Sequence, residues 1–297
     1  MENLSGKVAF ITGGASGIGL GIAKAFAKEG MKIVIADIRQ DHLDSAVATF
    51  KSRGQTAHPI HLDVTDRPAM AAAAEETVRV YGKVHVLVNN AGIGIGGPLK
   101  QAKYDDWDWG LDVNLNGVVN GIQEFLPKML SHGDGGHIVN TASAAAVLPI
   151  SRAGIYIAAK AAVMAISEVL RGELADDKIG VSAFCPGPVQ TNIAQTRKLR
   201  PERYSKNSGY AEFERQLQDR PNNPLWMDHE EDGERVLRGV KRNDLFILTH
   251  PEFKDGVRQR FDAILNSFPD EPINKERAAA ISFLTSNPIY APREKLT

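Results

Sequence analysis

The sequence predicts an α/β protein, a doubly wound parallel sheet carrying a C-terminal substrate lid and a helical tail. Three observations lead there. Short runs rich in Val and Ile alternate with longer amphipathic stretches up to about residue 185, the pattern of parallel strands covered by helices on both faces. A glycine-rich turn, Thr12-Gly13-Gly14-Ala15-Ser16-Gly17-Ile18-Gly19, links the first run to the first amphipathic stretch. Beyond Pro186 the chain turns polar, charged and proline-punctuated to about Pro224, after which helical patterns resume.

Each element follows from its pattern. Apolar runs place strands at Val8 to Thr12, Lys32 to Asp37, Thr56 to Asp63, Val84 to Asn89, His137 to Thr141, Val181 to Cys185 and Leu245 to Thr249. Between them, helical spacing marks Ile18 to Glu29, Gln40 to Arg53, Ala69 to Tyr81, Trp107 to Leu130 and Ile155 to Ala175. His229 to Arg242 and Glu252 to Phe268 read as later helices, and the tail from Pro269 holds one apolar patch, Ala278 to Leu284, expected to pack on the body or a neighbouring subunit. The whole chain reads as one catalytic domain: residues 1–192 as cofactor and catalytic core, 193–227 as lid, 228–297 as helices and tail. A structureless stretch as long as the lid segment is most often functional or disordered.

Composition narrows the function. With 297 residues, 43% hydrophobic and 24% charged, folding buries roughly three quarters of the extended chain's surface. Lys plus Arg is 35 against 36 for Asp plus Glu, a net charge of −1, which provides no global field to attract nucleic acid or an acidic membrane. Cys185 is the single cysteine, so neither an intrachain disulfide nor a cysteine-based metal cluster is available, and an inert packed thiol is expected. The opening Met-Glu-Asn-Leu-Ser-Gly-Lys and the lack of a long uninterrupted apolar run point to a soluble, cytoplasmic protein. His58 and His61 have no third ligand type nearby and are expected in the third strand; no metal is expected. Arg197, Lys198, Arg200, Arg203 and Lys206 are expected on a solvated lid face, and Trp107 and Trp109 in helix packing, outside the pocket.

The chemistry concentrates in two motifs. Gly13, Gly17 and Gly19 let the backbone turn tightly and approach a pyrophosphate, whose charge meets a helix N-terminus near Ser16 and Ile18, a Rossmann-like arrangement. Asp37 ends the second strand 18 residues after Gly19, close to the ~20 expected for a carboxylate on an adenosine ribose. That favours NAD; Arg39, two residues on, keeps NADP open. Tyr156 and Lys160 stand four apart on a predicted helix and so share one face. An ammonium nearby favours the phenolate, and Ser143, 13 residues before Tyr156, offers a hydroxyl to a developing oxyanion.

With its TGxxxGxG and YxxxK motifs the sequence resembles the short-chain dehydrogenase/reductase family over roughly residues 5 to 192. The resemblance extends to Asp63-Val64, Asn89-Asn90-Ala91-Gly92, Asn114 with Gly117, and Pro186-Gly187 with Thr191. It implies that Tyr156 is the acid/base, that Lys160 lowers its pKa and binds the nicotinamide ribose, that Ser143 polarises the carbonyl and that Asn114 supports a proton relay. By the same resemblance Asp63 and Val64 flank the adenine, Asn90, Ala91 and Gly92 lie along the cofactor, Thr191 contacts its carboxamide, and Pro186, Gly187 and Val189 belong to the cofactor site. A homodimer or homotetramer through the long helices near 107 to 130 and 155 to 175 is also implied.

Within the family, "ADIRQDHLD", "YDDWDWGLDVNLNGVVNGI", "GGHIVNTAS" and "RPERY" are similar to bacterial members that oxidise the benzylic alcohol of lignin-derived β-aryl ethers, and to alcohol dehydrogenases of bulky ketones. The expected reaction is reversible hydride transfer between NAD and a bulky, aryl-bearing secondary alcohol or its ketone. An NADP-dependent carbonyl reductase and a nucleotide sensor without turnover are the alternatives. The sensor leaves Ser143, Tyr156 and Lys160 unexplained.

Overall fold

The computed structural model describes residues 1, 3–217, 221 and 223–291. Residues 218–220 and 222 of the expected lid, and the tail from 292 on, lie outside the described residues. Seven parallel strands form one sheet in the order β3-β2-β1-β4-β5-β6-β7: β1 Val8–Thr12, β2 Lys32–Asp37, β3 Ala57–His61, β4 Val86–Asn89, β5 Gly136–Thr141, β6 Ile179–Cys185 and β7 Phe246–Leu248. Helices α1 Gly17–Lys28, α2 Gln40–Ser52, α3 Arg67–Tyr81, α4 Tyr104–Leu111, α5 Gly117–His132, α6 Ala144–Val147 and α7 Gly154–Glu173 connect the first six strands. After β6 come α8 Ala211–Gln216 and α9 His229–Arg242, and after β7 come α10 Lys254–Leu265 and α11 Lys275–Ala280.

Strand residues alternate between two cores. Ala9, Ile11, Ile33, Ile35, Val86, Val88 and Val139 face the α1, α2 and α9 side, packing on Ile22, Phe26, Phe50 and Val240. Their neighbours Val8, Phe10, Val34, Ala36, Leu87, Ile138 and Val181 face Met70, Phe125, Met129 and Leu174 on the other side. Because both faces are covered, β1 is buried at all five positions, which is why these strands read as continuous apolar runs instead of alternating ones. The two edge strands, β3 and β7, are half-exposed, and Pro59 sits in β3, where a missing ladder donor is tolerated.

A polar thread crosses the second half of the sheet. Asn89 Nδ2 donates to Asn140 Oδ1 at 2.9 Å, Asn140 Nδ2 to Ser167 Oγ at 3.0 Å, and Ser167 Oγ to the Val163 carbonyl at 2.8 Å. It joins β4, β5 and α7 below the ends of the strands.

The helix expected from Trp107 to Leu130 is divided. Between α4 and α5, residues Asp112–Asn116 form a π-helical turn. Asn114 Nδ2 donates to the carbonyls of Gly110 and Ile93, and its Oδ1 accepts from Ile93 N; the side chain's commitment to the loop after β4 accounts for the widened turn. The lid segment is also more regular than expected, with 3₁₀ turns at Ile193–Leu199 and Glu202–Tyr204 before α8. In the tail, Phe283 and Leu284 are exposed, so the apolar patch does not pack on the body. Among the described residues no helix is long and apolar enough to cross a membrane.

Candidate active site

Strand order reverses direction at β1, whose neighbours are β2 and β4, and ligands of open α/β sheets bind outside the C-terminal strand ends at such a point. A cleft open to solvent lies there. Of the residues singled out from sequence, Gly13, Ser16, Gly17, Ile18, Asp37, Arg39, Asp63, Val64, Asn90, Ala91, Gly92, Asn114, Tyr156, Lys160, Pro186 and Thr191 line it. Gly19, Ser143, Gly187 and Val189 are not in that lining. A Cβ at Gly19 would stand 2.1 Å from the Gly13 carbonyl oxygen, and one at Gly187 would stand 2.5 Å from His250 Nδ1; both glycines serve close packing. Val189 is buried and bridges Met227.

One half of the cleft is built from the β1–α1 turn. Gly13 and Gly17 have φ of +61° and +49°, a region open to glycine without strain. A Cβ on Gly13 would approach Ala91 Cα at 3.0 Å. Ser16 occupies the α1 N-cap without a side-chain cap, its hydroxyl donating instead to Asn192 Oδ1 at 3.3 Å. The first-turn amides of α1 therefore have no side-chain cap there, the condition for binding an anion. Thr12, not singled out from sequence, accepts from the backbone amides of Asn90 and Ala91 at 2.9 and 3.0 Å through its hydroxyl, while Asn90 Nδ2 returns a bond to the Thr12 carbonyl at 3.1 Å. Its place directly before Gly13 is the signal that would have found it.

Asp37 is buried at the end of β2. Its carboxylate accepts from Arg39 N at 3.1 Å and Ala15 N at 3.4 Å. Burial holds its pKa above the usual carboxylate range, against the lowering influence of the Arg39 amide and His42. The Arg39 guanidinium is turned away to Asp41, with Nε donating to Oδ1 at 3.0 Å. Asp63 closes an Asx turn by accepting from Thr65 N and Thr65 Oγ1 at 2.9 and 2.8 Å. The Val64 carbonyl is held by Asn120 Nδ2 at 2.9 Å.

At the other end, Tyr156 and Lys160 project from the first turns of α7. Lys160, 2% exposed, donates to the Thr141 carbonyl at 2.8 Å and sits 5.8 Å from the Tyr156 ring centroid. Burial lowers its pKa to about 8. Burial pushes the Tyr156 phenol up, opposed by a hydrogen bond with the Ser143 side chain, so desolvation outweighs any help toward the phenolate in this arrangement. Ser143 also caps α6, accepting from Ala145 N at 3.1 Å. A Cβ on Gly92 would stand 2.9 Å from Asn114 Oδ1 and 3.5 Å from Lys160 Nζ; the two polar atoms converge across that glycine.

Sequence expectations need correction here. Trp109 packs with Ile93, Ile95, Ile155 and Tyr210 in one cluster, as expected, and also lines the cleft, because the π turn and the loop after β4 bring α4 to the cleft. Arg200, expected in water, is buried, its charge met by Asp106 and Glu214. Among the apolar side chains of the lid segment, Leu199 and Tyr204 line the cleft, while Tyr210 packs inward in the cluster of Ile93 and Ile95. Phe213, Leu217, Leu225 and Trp226 lie elsewhere and are exposed. Arg203, assigned from sequence to a solvated lid face, also borders the cleft.

A glycine cradle at the reversal point of a parallel sheet, with a Ser, Tyr and Lys gathered beside it, defines a Rossmann-like oxidoreductase. The chain belongs to the short-chain dehydrogenase family, whose model matches residues 7–202. It is 42% identical over 269 residues to a C alpha-dehydrogenase of Sphingobium sp. strain SYK-6, covering 90% of this chain and 88% of that protein. The structure of a short chain dehydrogenase/reductase from Burkholderia phymatum in complex with NAD superimposes with a TM-score of 0.83 at 35% identity, over 92% of this chain and all of that one. The apo form of LigD from Sphingobium sp. strain SYK-6 gives 0.76 at 37% identity, over 90% of this chain and all of that one. A nicotinamide dinucleotide is thus the cofactor class, and the glycine cradle with the uncapped α1 amides fits it.

Proposed function

We propose that the protein interconverts a bulky, aryl-bearing secondary alcohol and its ketone, using NAD. The observation that carries this reading is the junction of Tyr156 with an apolar wall: Trp109 and Ile93 pack beside the phenol, and Leu199 and Tyr204 border the same cleft. The identity to a protein named C alpha-dehydrogenase supports the same class of substrate. For the cofactor, a buried carboxylate at the end of β2 suits two free ribose hydroxyls and repels a 2′-phosphate. Arg39, the cation that would favour such a phosphate, is already paired with Asp41.

The chain's residues divide the work. Gly13, Ser16, Gly17 and Ile18 would hold the pyrophosphate, Asp37 the adenosine ribose, Asp63 and Val64 the adenine, and Lys160 the second ribose. The nicotinamide, when bound, supplies the hydride acceptor or donor. In the oxidative direction the Tyr156 Oη, as phenolate, takes the hydroxyl proton of the alcohol. Ser143 Oγ holds the same oxygen and donates to it as it gains carbonyl character. Cation and ribose together must offset the burial that raises the phenol, and Lys160 stays in reach through its bond to Thr141. Asn114 keeps the loop carrying Ile93 against α4, with Oδ1 turned toward the lysine side. Residues 193–217 shelter the reaction from water, a cytoplasmic setting suits the single buried thiol, and a homodimer or homotetramer through α5 and α7 completes the reading.

Absorbance of reduced nicotinamide tests it. Purified protein is offered NAD or NADP with aryl-alkyl alcohols of increasing size and with short aliphatic alcohols. Turnover with NAD that rises with aryl size supports the reading. A preference for short aliphatic alcohols, or no turnover with any alcohol or ketone, defeats it.

A further inference from the structure

Between the lid and the body lies a buried ionic cluster that plays no part in binding the dinucleotide. Arg200 is its centre, with a side chain only 4% exposed. Its Nε and Nη2 donate in parallel to the two carboxylate oxygens of Glu214 on α8, both at 2.8 Å. Nη1 reaches Asp106 Oδ1 on α4 at 3.1 Å and donates to the Tyr204 carbonyl at 3.3 Å. Asp106 is itself saturated by the lid, accepting from Ser208 Oγ and from Gly209 N at 2.7 Å. Above this cluster the guanidinium carbon stands 4.3 Å from the centre of the Trp109 ring.

Burying one cation with two carboxylates is costly in desolvation and is repaid only by good geometry and a full set of hydrogen bonds. Here the geometry is specific to arginine: a planar fork meets Glu214 at two points while the guanidinium carbon stands over an indole ring, a combination that a lysine cannot reproduce. Trp109 thus meets a flat cation and also lines the cleft beside Tyr156.

We propose that Arg200 is a positioning residue for the substrate end of the cleft: it clips the lid to α4 and holds the Trp109 indole as a flat wall for the aryl group of the substrate. The proposal rests on the aryl-alcohol reading above for its ligand, but not for its mechanics. Arg200 touches neither cofactor nor reacting atoms; it acts through Trp109 and through the lid backbone at Tyr204.

The test uses the full chain carrying Trp107→Phe and Trp226→Phe, which leaves Trp109 as the single tryptophan, excited selectively at the red edge where the tyrosines do not absorb. Arg200→Met removes the cation; Arg200→Lys keeps a charge without the fork. In Arg200→Met, acrylamide quenching of Trp109 is expected to rise about threefold, and the KM for the largest aryl alcohol about tenfold, while kcat stays within about threefold and the Kd for NADH within about twofold. The lysine variant should fall between wild type and Met for both quenching and KM. If the Met variant does not fold, the lysine variant and Glu214→Gln decide by the same two readouts. Unchanged quenching overturns the proposal, as does an equal loss in NADH affinity and in KM. A parent protein that turns over no aryl alcohol sinks the substrate reading alone, and the quenching comparison then decides whether Arg200 holds Trp109.

Discussion

Replacing Asp37 by alanine is the sharpest test of cofactor choice, because the structure separates two effects that sequence alone merges. The carboxylate is fixed by the Arg39 and Ala15 amides, so a bound ribose meets an acceptor already in place. A hydrogen bond to a charged acceptor contributes about 1.5 to 3 kcal/mol. Water can replace one partner on the mutant's open side, so the loss is expected at about 1.5 to 3 kcal/mol in total, which weakens NAD about 10- to 150-fold. Removing the carboxylate also removes its repulsion of a 2′-phosphate, but Arg39 stays bound to Asp41, so NADP should gain only slightly. The double variant Asp37→Ala with Asp41→Asn frees the guanidinium and should bind NADPH clearly better than the single variant. Titration of NADH and NADPH by energy transfer from protein fluorescence, with kcat/KM for each cofactor, reads all three proteins. The reasoning is refuted if Asp37→Ala binds NADH within about threefold of wild type, or if the single and double variants gain NADPH equally.

Tyr156→Phe keeps the ring and loses the transferable proton; turnover should fall about 10²- to 10⁴-fold with NADH affinity unchanged, and a variant retaining a tenth of wild-type turnover would remove the phenol from the mechanism. Cys185 is buried, and burial drives its thiol up to about 12; native protein at pH 8 should resist a disulfide-exchange reagent that labels the urea-unfolded chain promptly, and rapid labelling of active protein would contradict that. His85 is lowered to about 4, chiefly by burial and then by Lys7, and its Nδ1 accepts from Val8 N. Its folded pKa lies below the ordinary 6.5, so between those values the unfolded chain binds the extra proton. The stability it contributes is full above pH 6.5 and is lost as pH falls toward 4. Its ceiling is about 3 kcal/mol. Urea midpoints at pH 7 and 4.5 for wild type and His85→Gln check this: the variant should lose less stability on acidification, and equal losses would rule it out.

The sheet could be read from sequence because both its faces are covered, which forces runs such as Val8 to Thr12 to be apolar throughout. The glycine turn and the end of β2 were readable for a related reason: Gly13 and Gly17 take positive φ and Asp37 closes a strand, and each constraint is local. What escaped depends on partners distant in the chain. The π turn at Asp112–Asn116 is tied to Asn114 bonding Ile93, 21 residues earlier. Arg200 looks like one of five solvated cations until Asp106 and Glu214 close on it, and only then does Trp109 become a wall of the cleft. The pKa of Tyr156 escaped too, since an ammonium four residues away says nothing of how dry the site is. Chain order does not encode burial at that distance.

The polar thread from Asn89 through Asn140 to Ser167 gives α7 an address. An apolar contact between α7 and the sheet would tolerate a slide of part of a turn with little loss, since methyl groups pack in many arrangements. A chain of buried amides and hydroxyls does not; displaced by one residue, it strands donors where no water can reach them. Ser167 lies 11 residues beyond Tyr156 and seven beyond Lys160 on the same helix, so fixing it to β5 fixes the height and rotation at which both are presented. The consequence is a division of evolutionary freedom. Among the described residues the lid makes no bond to this thread and can vary without shifting Ser167, whereas a volume-matched apolar replacement of Asn140 would preserve the packing of the core while erasing the coordinate system in which Tyr156 and Lys160 are placed.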